Sequence, residues 1–309
     1  MTGYNRITQV FQSAHEIGFD DTSKIVLMSD CHRGTGSWAD SFADNSNLYY
    51  AALSKYNKEK FTYIEIGDGD ELWENKEISH IVSAYKSIFE LLDKFHTDNR
   101  LYMLYGNHDI IKKSAFPGKK SRRNLTESGI SIPFLLSDIR FHEGLILKHR
   151  KTQDKIFLIH GHQVDLLNGP LWKLNRFLVR YLWRPLELIG VNDPTSVSKN
   201  NLRKLKTERK LMQWSERNRL MLIAGHTHRY VFPSPGQTPY FNDGCCVYRS
   251  YITCIELHEG KISLVKWSLK TKSDGTLYVG RDILFGPVSL SEYMNNKNIS
   301  VDLSAQTSS

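Results

Sequence analysis

The sequence has few cysteines and no long apolar run. Only four cysteines occur in 309 residues, at Cys31, Cys245, Cys246 and Cys254. So few thiols in a chain this long do not make a disulfide framework, and the adjacent Cys245 and Cys246 are hard to bridge to one another. No apolar stretch approaches the roughly 18 residues of a membrane-spanning helix. The opening stretch MTGYNRITQVFQSAHEIGFD has no apolar core and no cleavage site, so it does not read as a secretory signal. Internal repeats and long low-complexity segments are also missing. These absences argue against a disulfide scaffold, a helical membrane protein and a repeat array. They leave a reduced cytoplasmic protein as the expectation.

What is present is a foldable composition with surplus positive charge. Hydrophobic residues make up 40% and charged residues 24%, enough for a sizeable core and incompatible with a disordered chain. The net charge is +8 and the pI near 9.1. That balance favours an anionic partner such as a phosphate, a nucleic acid or a lipid headgroup.

Five short runs rich in apolar or β-branched residues read as strands: KIVLMS (24–29), FTYIEI (61–66), RLYMLY (100–105), KIFLI (155–159) and RLMLIA (219–224). Near-continuous apolar runs suit strands buried on both faces. Between the second and third, Ile78, Ile81, Val82, Tyr85, Ile88, Phe89 and Leu92 recur at helical spacing. Strands alternating with helices imply a layered α/β fold. LILKHRKTQDKIFLI places two apolar runs around a polar turn and reads as a hairpin. The region after residue 228 is turn-rich and β-rich, with HEGK as a hairpin turn, and reads as closing strands of the same domain. Residues 290–309 read as a loose polar tail.

Each strand is followed by chemistry-bearing residues. The first leads into SDCHRG with Asp30 and His32, the second into GDGDE with Asp68, Asp70 and Glu71, and the third into GNHD with Asn107, His108 and Asp109. The fourth leads into HGH with His160 and His162, and the fifth into GHTH with His226 and His228. Singly, each is weak: an Asp-x-His pair is commonly a turn, GNHD can be an Asx-turn, and Asp68 could cap a helix. Five strand ends collecting such residues together is a different matter, because ligands of open α/β sheets bind at the carboxyl ends of the strands. Carboxylate, imidazole and amide ligands suit borderline divalent ions, with Mn expected first and Fe or Zn as alternatives. There are more ligands than one ion needs, so two divalent ions sharing one carboxylate is the economical arrangement. A two-metal site generates hydroxide at neutral pH and clamps a phosphoryl group for in-line displacement.

The ordered blocks D-x-H, GD-x-x-E, GNHD, H and GH-x-H, spanning Asp30 to His228, resemble the calcineurin-like metallophosphoesterase superfamily. The resemblance implies an α/β four-layer αββα sandwich forming a single domain over residues 1–309. It also implies a dinuclear-metal-dependent hydrolase of phosphodiester or pyrophosphate bonds. By motif position, Asp30, His32 and His228 would hold one ion, Asp68 would bridge, and Asn107, His160 and His226 would hold the other. His108 would stabilise charge or protonate the leaving oxygen, and Asp109 would orient it. Glu71 would support the ligands from behind. Asp70 and His162 receive no ligand role.

Residues 166–218 read as a helical insertion. Leu171, Leu174, Leu178, Tyr181 and Leu182 share one helical side, while Lys173, Arg176, Arg180 and Arg184 form a basic stripe on another. A second basic helical segment, NNLRKLKTERKLMQWSERN, follows. One reading is two helices packed on the core. The other is a cap in which Arg176, Arg180 and Arg184 grip an anionic substrate or touch the inner face of a membrane. A helical lid at this point resembles the UDP-2,3-diacylglucosamine pyrophosphohydrolase branch. That branch carries arginine at the position of His108, and His108 instead suits a broader phosphomonoesterase or phosphodiesterase. The basic run KKSAFPGKKSRR (112–123) reads as a loop able to steer a polyanion, nucleic acid included. A non-catalytic phosphate-binding module is a further alternative.

Overall fold

The computed structural model describes residues 3–38, 40–75, 77–115, 139–165 and 201–294. The expected strands form β2 (Ile25–Met28), β3 (Thr62–Ile66), β4 (Leu101–Leu104), β7 (Lys155–Ile159) and β8 (Met221–Ala224). They are divided between two sheets. Seven strands run in the order β12-β11-β10-β2-β3-β4-β5, where β5 is Phe141–His142, β10 is Tyr251–His258, β11 is Lys261–Thr271 and β12 is Leu277–Ser289. The other five run β1-β6-β7-β8-β9, with β1 His15–Phe19, β6 Gly144–His149 and β9 Tyr240–Asn242.

Successive strand side chains point to opposite faces, and the sequence uses both. In β2, Ile25 and Leu27 point between the sheets, while Val26 and Met28 point to the outer helices. In β8, Met221 and Ile223 face inward, and Leu222 and Ala224 face outward. The inter-sheet core therefore contains Leu27, Ile64, Ile66, Leu158 and Ile223, all fully buried. Each contributes about 1.5–3 kcal/mol of hydrophobic stabilisation. Outside the larger sheet lie α2 (Ser46–Lys58), α3 (Ile78–Ala84) and α4 (Lys86–Thr97), whose Leu53, Ile81, Phe89 and Leu92 pack over Tyr63 and Met103. The short α5 spans Lys112–Ala115. Outside the smaller sheet lie α1 (Gly3–Ser13) and α6 (Asn201–Asn218), with Ile7, Val10, Leu211 and Trp214 over Phe157 and Leu222. The result is an αββα sandwich.

Two hairpins fall where the sequence placed them: β6 and β7 pair antiparallel, and β10 and β11 pair antiparallel with His258 opposite Lys261. The helical pattern from Ile78 to Leu92 breaks in two at Tyr85, whose φ of −119° and ψ of 37° leave the helical region. Neither α1 nor β1 was among the elements expected, although Ile7, Val10 and Phe11 recur at helical spacing. Tertiary contact orders them, since β1 pairs parallel with β6 and Trp214 Nε1 donates to Thr8 Oγ1 at 3.0 Å.

The expected tail begins too early. Leu290 and Tyr293 are buried, with α7 (Ser291–Met294) packing near Phe232 and Phe241. Residues 295–309 lie outside the described residues, as do 166–200, which include Arg176, Arg180 and Arg184. The described part of the insertion, α6, is docked on the core through Leu211 and Trp214 rather than standing free. Among the described residues no helix is long and apolar enough to cross a membrane.

β2, β3 and β4 run parallel, as do β7, β8 and β9. Their registers end together, with Met28 opposite Glu65, Ile66 opposite Leu104, and Ile159 opposite Ala224. Six carboxyl ends thus open toward one crevice.

Candidate metal centre

The loops leaving these strands are bound to one another by their backbones. Asp30 N donates to Gly67 O at 3.1 Å, His32 N to Asp68 O at 2.9 Å, and Gly225 N to His160 O at 3.1 Å. Gly106 and Gly225 permit this closeness. A Cβ at Gly106 would come within 2.1 Å of Asp68 Oδ1, and one at Gly225 within 2.3 Å of Ser29 Oγ. Asp30, His32, Asp68, His226 and His228 all occupy the left-handed backbone region, with φ between 49° and 71°. Non-glycine residues enter that region at a cost of order 1 kcal/mol each, and such strain gathers where function requires a particular aim.

Three groups of ligand atoms result among the described residues, one of them His32, Glu71 and His108. Asp30, His32 and His228 offer atoms within 4.8 Å of one another, and so do Asp68, His160 and His226. His228 Nε2 is 3.1 Å from Asp30 Oδ1 and 3.1 Å from His32 Nε2. His160 Nε2 is 3.1 Å from Asp68 Oδ2. Outer partners set the tautomers: His160 Nδ1 donates to Ile66 O at 2.8 Å, and His32 Nδ1 to Glu71 Oε2 at 3.0 Å. That leaves both Nε2 atoms facing the crevice.

The centre passes a test for ligand fit. Buried polar atoms are nearly always hydrogen-bonded, so exceptions need a reason. Asn107 Oδ1 and His226 Nε2 are buried without a hydrogen-bond partner, and Asp30 Oδ1 and His160 Nε2 have only ion-pair contacts, with His228 and Asp68. These are the atom types that a borderline divalent ion takes. Electrostatics agree. Burial opposes charge on His160, but Asp68 and Asp30 outweigh it and push the imidazole up to about 9. Burial also opposes charge on His32, yet Asp30, Glu71 and Asp68 hold it well above its ordinary range. His226, buried beside His160, falls to about 4. The pocket attracts positive charge at its carboxylates and keeps neutral imidazole available beside them.

His108 sits at the open side of this cluster, its side chain 24% exposed. The residue expected to orient it was Asp109, and the structure gives that position to Glu71. His108 Nδ1 is 2.7 Å from Glu71 Oε2, and its ring stacks on Trp73 at 4.2 Å. Burial raises the Glu71 carboxyl, but His108 and His32 outweigh it and bring it down to about 2. Asp109 instead accepts from Gly106 N at 2.7 Å, Gly69 N at 3.2 Å and Lys112 Nζ at 2.7 Å. Its geometry is explained by position. It follows a tight turn, so its carboxylate folds back onto the loops' amides.

Lys112 also differs from expectation. It heads the run read as a steering loop, yet it is 1% exposed and 2.6 Å from Asp70 Oδ2. Lys113 is exposed, and residues 116–123 lie outside the described residues. Asp70, which received no role from the sequence, is buried and bonded to Arg33 Nε at 2.7 Å. His162 is buried beside His160, and its Nδ1 lacks a hydrogen-bond partner. Sequence reasoning missed Glu208 on α6, which accepts from Thr227 Oγ1 at 2.9 Å and pairs with Arg229, fastening the GHTH loop. It also missed Ser29 and Asp243.

The sequence model of the calcineurin-like phosphoesterases matches residues 23–230, about two thirds of the chain, and the chain belongs to that family. Among solved structures it is similar to Vps29 of Chaetomium thermophilum, at 12% identity over 86% of this chain and 97% of that one, with a TM-score of 0.38. It is also similar to the same organism's Vps29 complexed with the cyclic peptide RT-D3, at 10% identity over 85% and 96%, with a TM-score of 0.36. No curated protein matches the chain.

Proposed function

We propose that the protein is a dinuclear-metal phosphoesterase that cleaves a phosphodiester or pyrophosphate bond. The observation that carries this reading is the buried set, Asp30 Oδ1, Asn107 Oδ1, His160 Nε2 and His226 Nε2, turned into one crevice. Asp30, His32 and His228 would hold one ion, Asn107, His160 and His226 a second, with Asp68 between them. Two divalent ions, Mn first, would polarise the phosphoryl oxygens and acidify a water at neutral pH.

The chain's own residues supply the rest. With its Nδ1 held by Glu71, His108 presents Nε2 to the open side, where it would protonate the leaving oxygen or stabilise its charge. Trp73 holds that ring in plane. His32 and His108 share Glu71, so the aim of a ligand and of the proton donor are fixed by one carboxylate.

Hydrolysis of an aryl phosphodiester with Mn²⁺ tests the reading. The wild type should turn over only with metal, and Asp68→Ala and His108→Ala should both fail. Metal-dependent turnover that survives both substitutions would refute the assignment. Two bound ions and phosphate binding without turnover would point to a binding module. A panel of aryl monoester, nucleotide pyrophosphates and DNA then separates the substrate classes.

A further inference from the structure

A sixth strand end joins the five that bear the motifs. β9 lies parallel beside β8, and its end carries Asn242 and Asp243, beyond residue 230 where the family match stops. This turn is clasped to the GHTH loop. Asn242 Nδ2 donates to Gly225 O at 2.7 Å, and Asp243 N donates to Ala224 O at 3.2 Å. Thr253 Oγ1 donates to Asp243 O at 2.6 Å, so tightly that a Cβ at Gly244 would lie 2.1 Å from that hydroxyl.

The Asp243 carboxyl meets Asp30 through one hydroxyl. Ser29 Oγ is 2.5 Å from Asp30 Oδ2 and 2.7 Å from Asp243 Oδ1, and all three residues are fully buried. A serine hydroxyl has a single proton to donate, with lone pairs to accept. It can satisfy one carboxylate as donor, so the other contact needs a proton from the carboxyl itself. Asp30 faces His228 Nε2 and accepts His226 N at 2.8 Å, whereas Asp243 has no cation among its hydrogen-bond partners. The order is therefore Asp243 donating to Ser29 and Ser29 donating to Asp30 Oδ2. Asp30 Oδ2 is then filled by Ser29 and His226 N, which leaves Oδ1 as the oxygen facing His228 Nε2, at 3.1 Å.

We propose that Ser29 and Asp243 are positioning residues of the metal centre, holding Asp30 so that Oδ1 is presented to an ion. This rests on the dinuclear reading above. Asp243 acts as a neutral hydrogen-bond donor and touches neither ion nor substrate. An ionised carboxylate or a ligand in that place would need its charge, and a neutral donor would not.

The test is Mn²⁺ titration calorimetry on the full chain, with thermal unfolding in chelator as the folding control. Ser29→Ala and Asp243→Ala should weaken Mn²⁺ binding by about 10–100-fold, the usual effect of removing a partner that orients a ligand. Asp243→Asn should stay near wild type, because its amide can donate to Ser29 in place of the acid proton. Variants that bind Mn²⁺ as the wild type does would overturn the proposal, as would Asp243→Asn as weak as Asp243→Ala. If Ser29→Ala does not fold, the contrast between the two Asp243 variants still decides. A wild type that binds no Mn²⁺ would overturn the dinuclear reading itself, a distinguishable result.

Discussion

Two clusters of buried charge share the same loops and follow opposite rules. In the cluster behind the crevice, Arg33 forms two bonds with Glu65, at 2.7 and 2.9 Å, and one with Asp70, while Lys112 joins Asp70 to Asp109. Every member is at most 1% exposed and has an opposite charge beside it. In the crevice, Asp30, Asp68, His160 and His226 are buried while His32 and His228 are partly exposed, the carboxylates face imidazoles rather than fixed cations, and five residues hold left-handed backbone. The paired cluster closes on itself and fixes the loops. The other sets imidazoles, not fixed cations, against its carboxylates. Permanent cations mark the scaffold here, and imidazole beside carboxylate marks the site.

That contrast can be broken experimentally. Replacing Asp68 by Asn keeps shape and a residue type that tolerates left-handed backbone. It should cost about a thousandfold in metal-dependent turnover, while in chelator above about pH 9, where His160 has lost the proton that Asp68 holds, unfolding should stay nearly unchanged. Lys112→Met should do the reverse. It leaves Asp109 without its cation and Asp70 with Arg33 alone, and should lower stability by about 3 kcal/mol in urea unfolding. Equal stability losses for both would erase the distinction. His108→Gln should lower turnover about a hundredfold and leave Mn²⁺ affinity intact, as expected of a proton donor rather than a ligand.

A graded effect is in pH. His160 is raised to about 9 in the metal-free fold, so below that pH an ion must displace its proton. Mn²⁺ affinity should fall as pH drops from about 9 toward 6, by up to about tenfold per unit for each proton displaced. Without metal the same shift stabilises the fold fully below about 6.5 and fades as pH rises through about 9. Calorimetry across that range checks the first statement and chelator melts the second. Affinity flat with pH would contradict it.

The sequence made the crevice legible because its residues announce themselves twice, by type and by place after an apolar run. Asp30, Asp68 and the GHTH histidines each follow a strand that periodicity alone identifies. Asp243 lacked that signal: β9 is three residues long, and YFN has no pattern to mark it as a strand. Glu71 over Asp109 as the partner of His108 was equally hidden. Both carboxylates lie close to their strand ends, and only the fold of the turn decides which one reaches the ring. Lys112 looked like surface charge because a lysine run reads the same whether its first member is solvated or buried beside two aspartates. β1 and α1 depend on contacts with β6 and Trp214, far away in sequence.

The most direct measurement is the number of Mn²⁺ ions held per chain, by titration calorimetry on the wild type and Asp68→Ala. A dinuclear centre predicts two ions on the wild type and loss of at least one on the variant, whose bridge is gone. A wild type that binds none, or an Asp68→Ala chain that binds the same number with the same affinity, would contradict it.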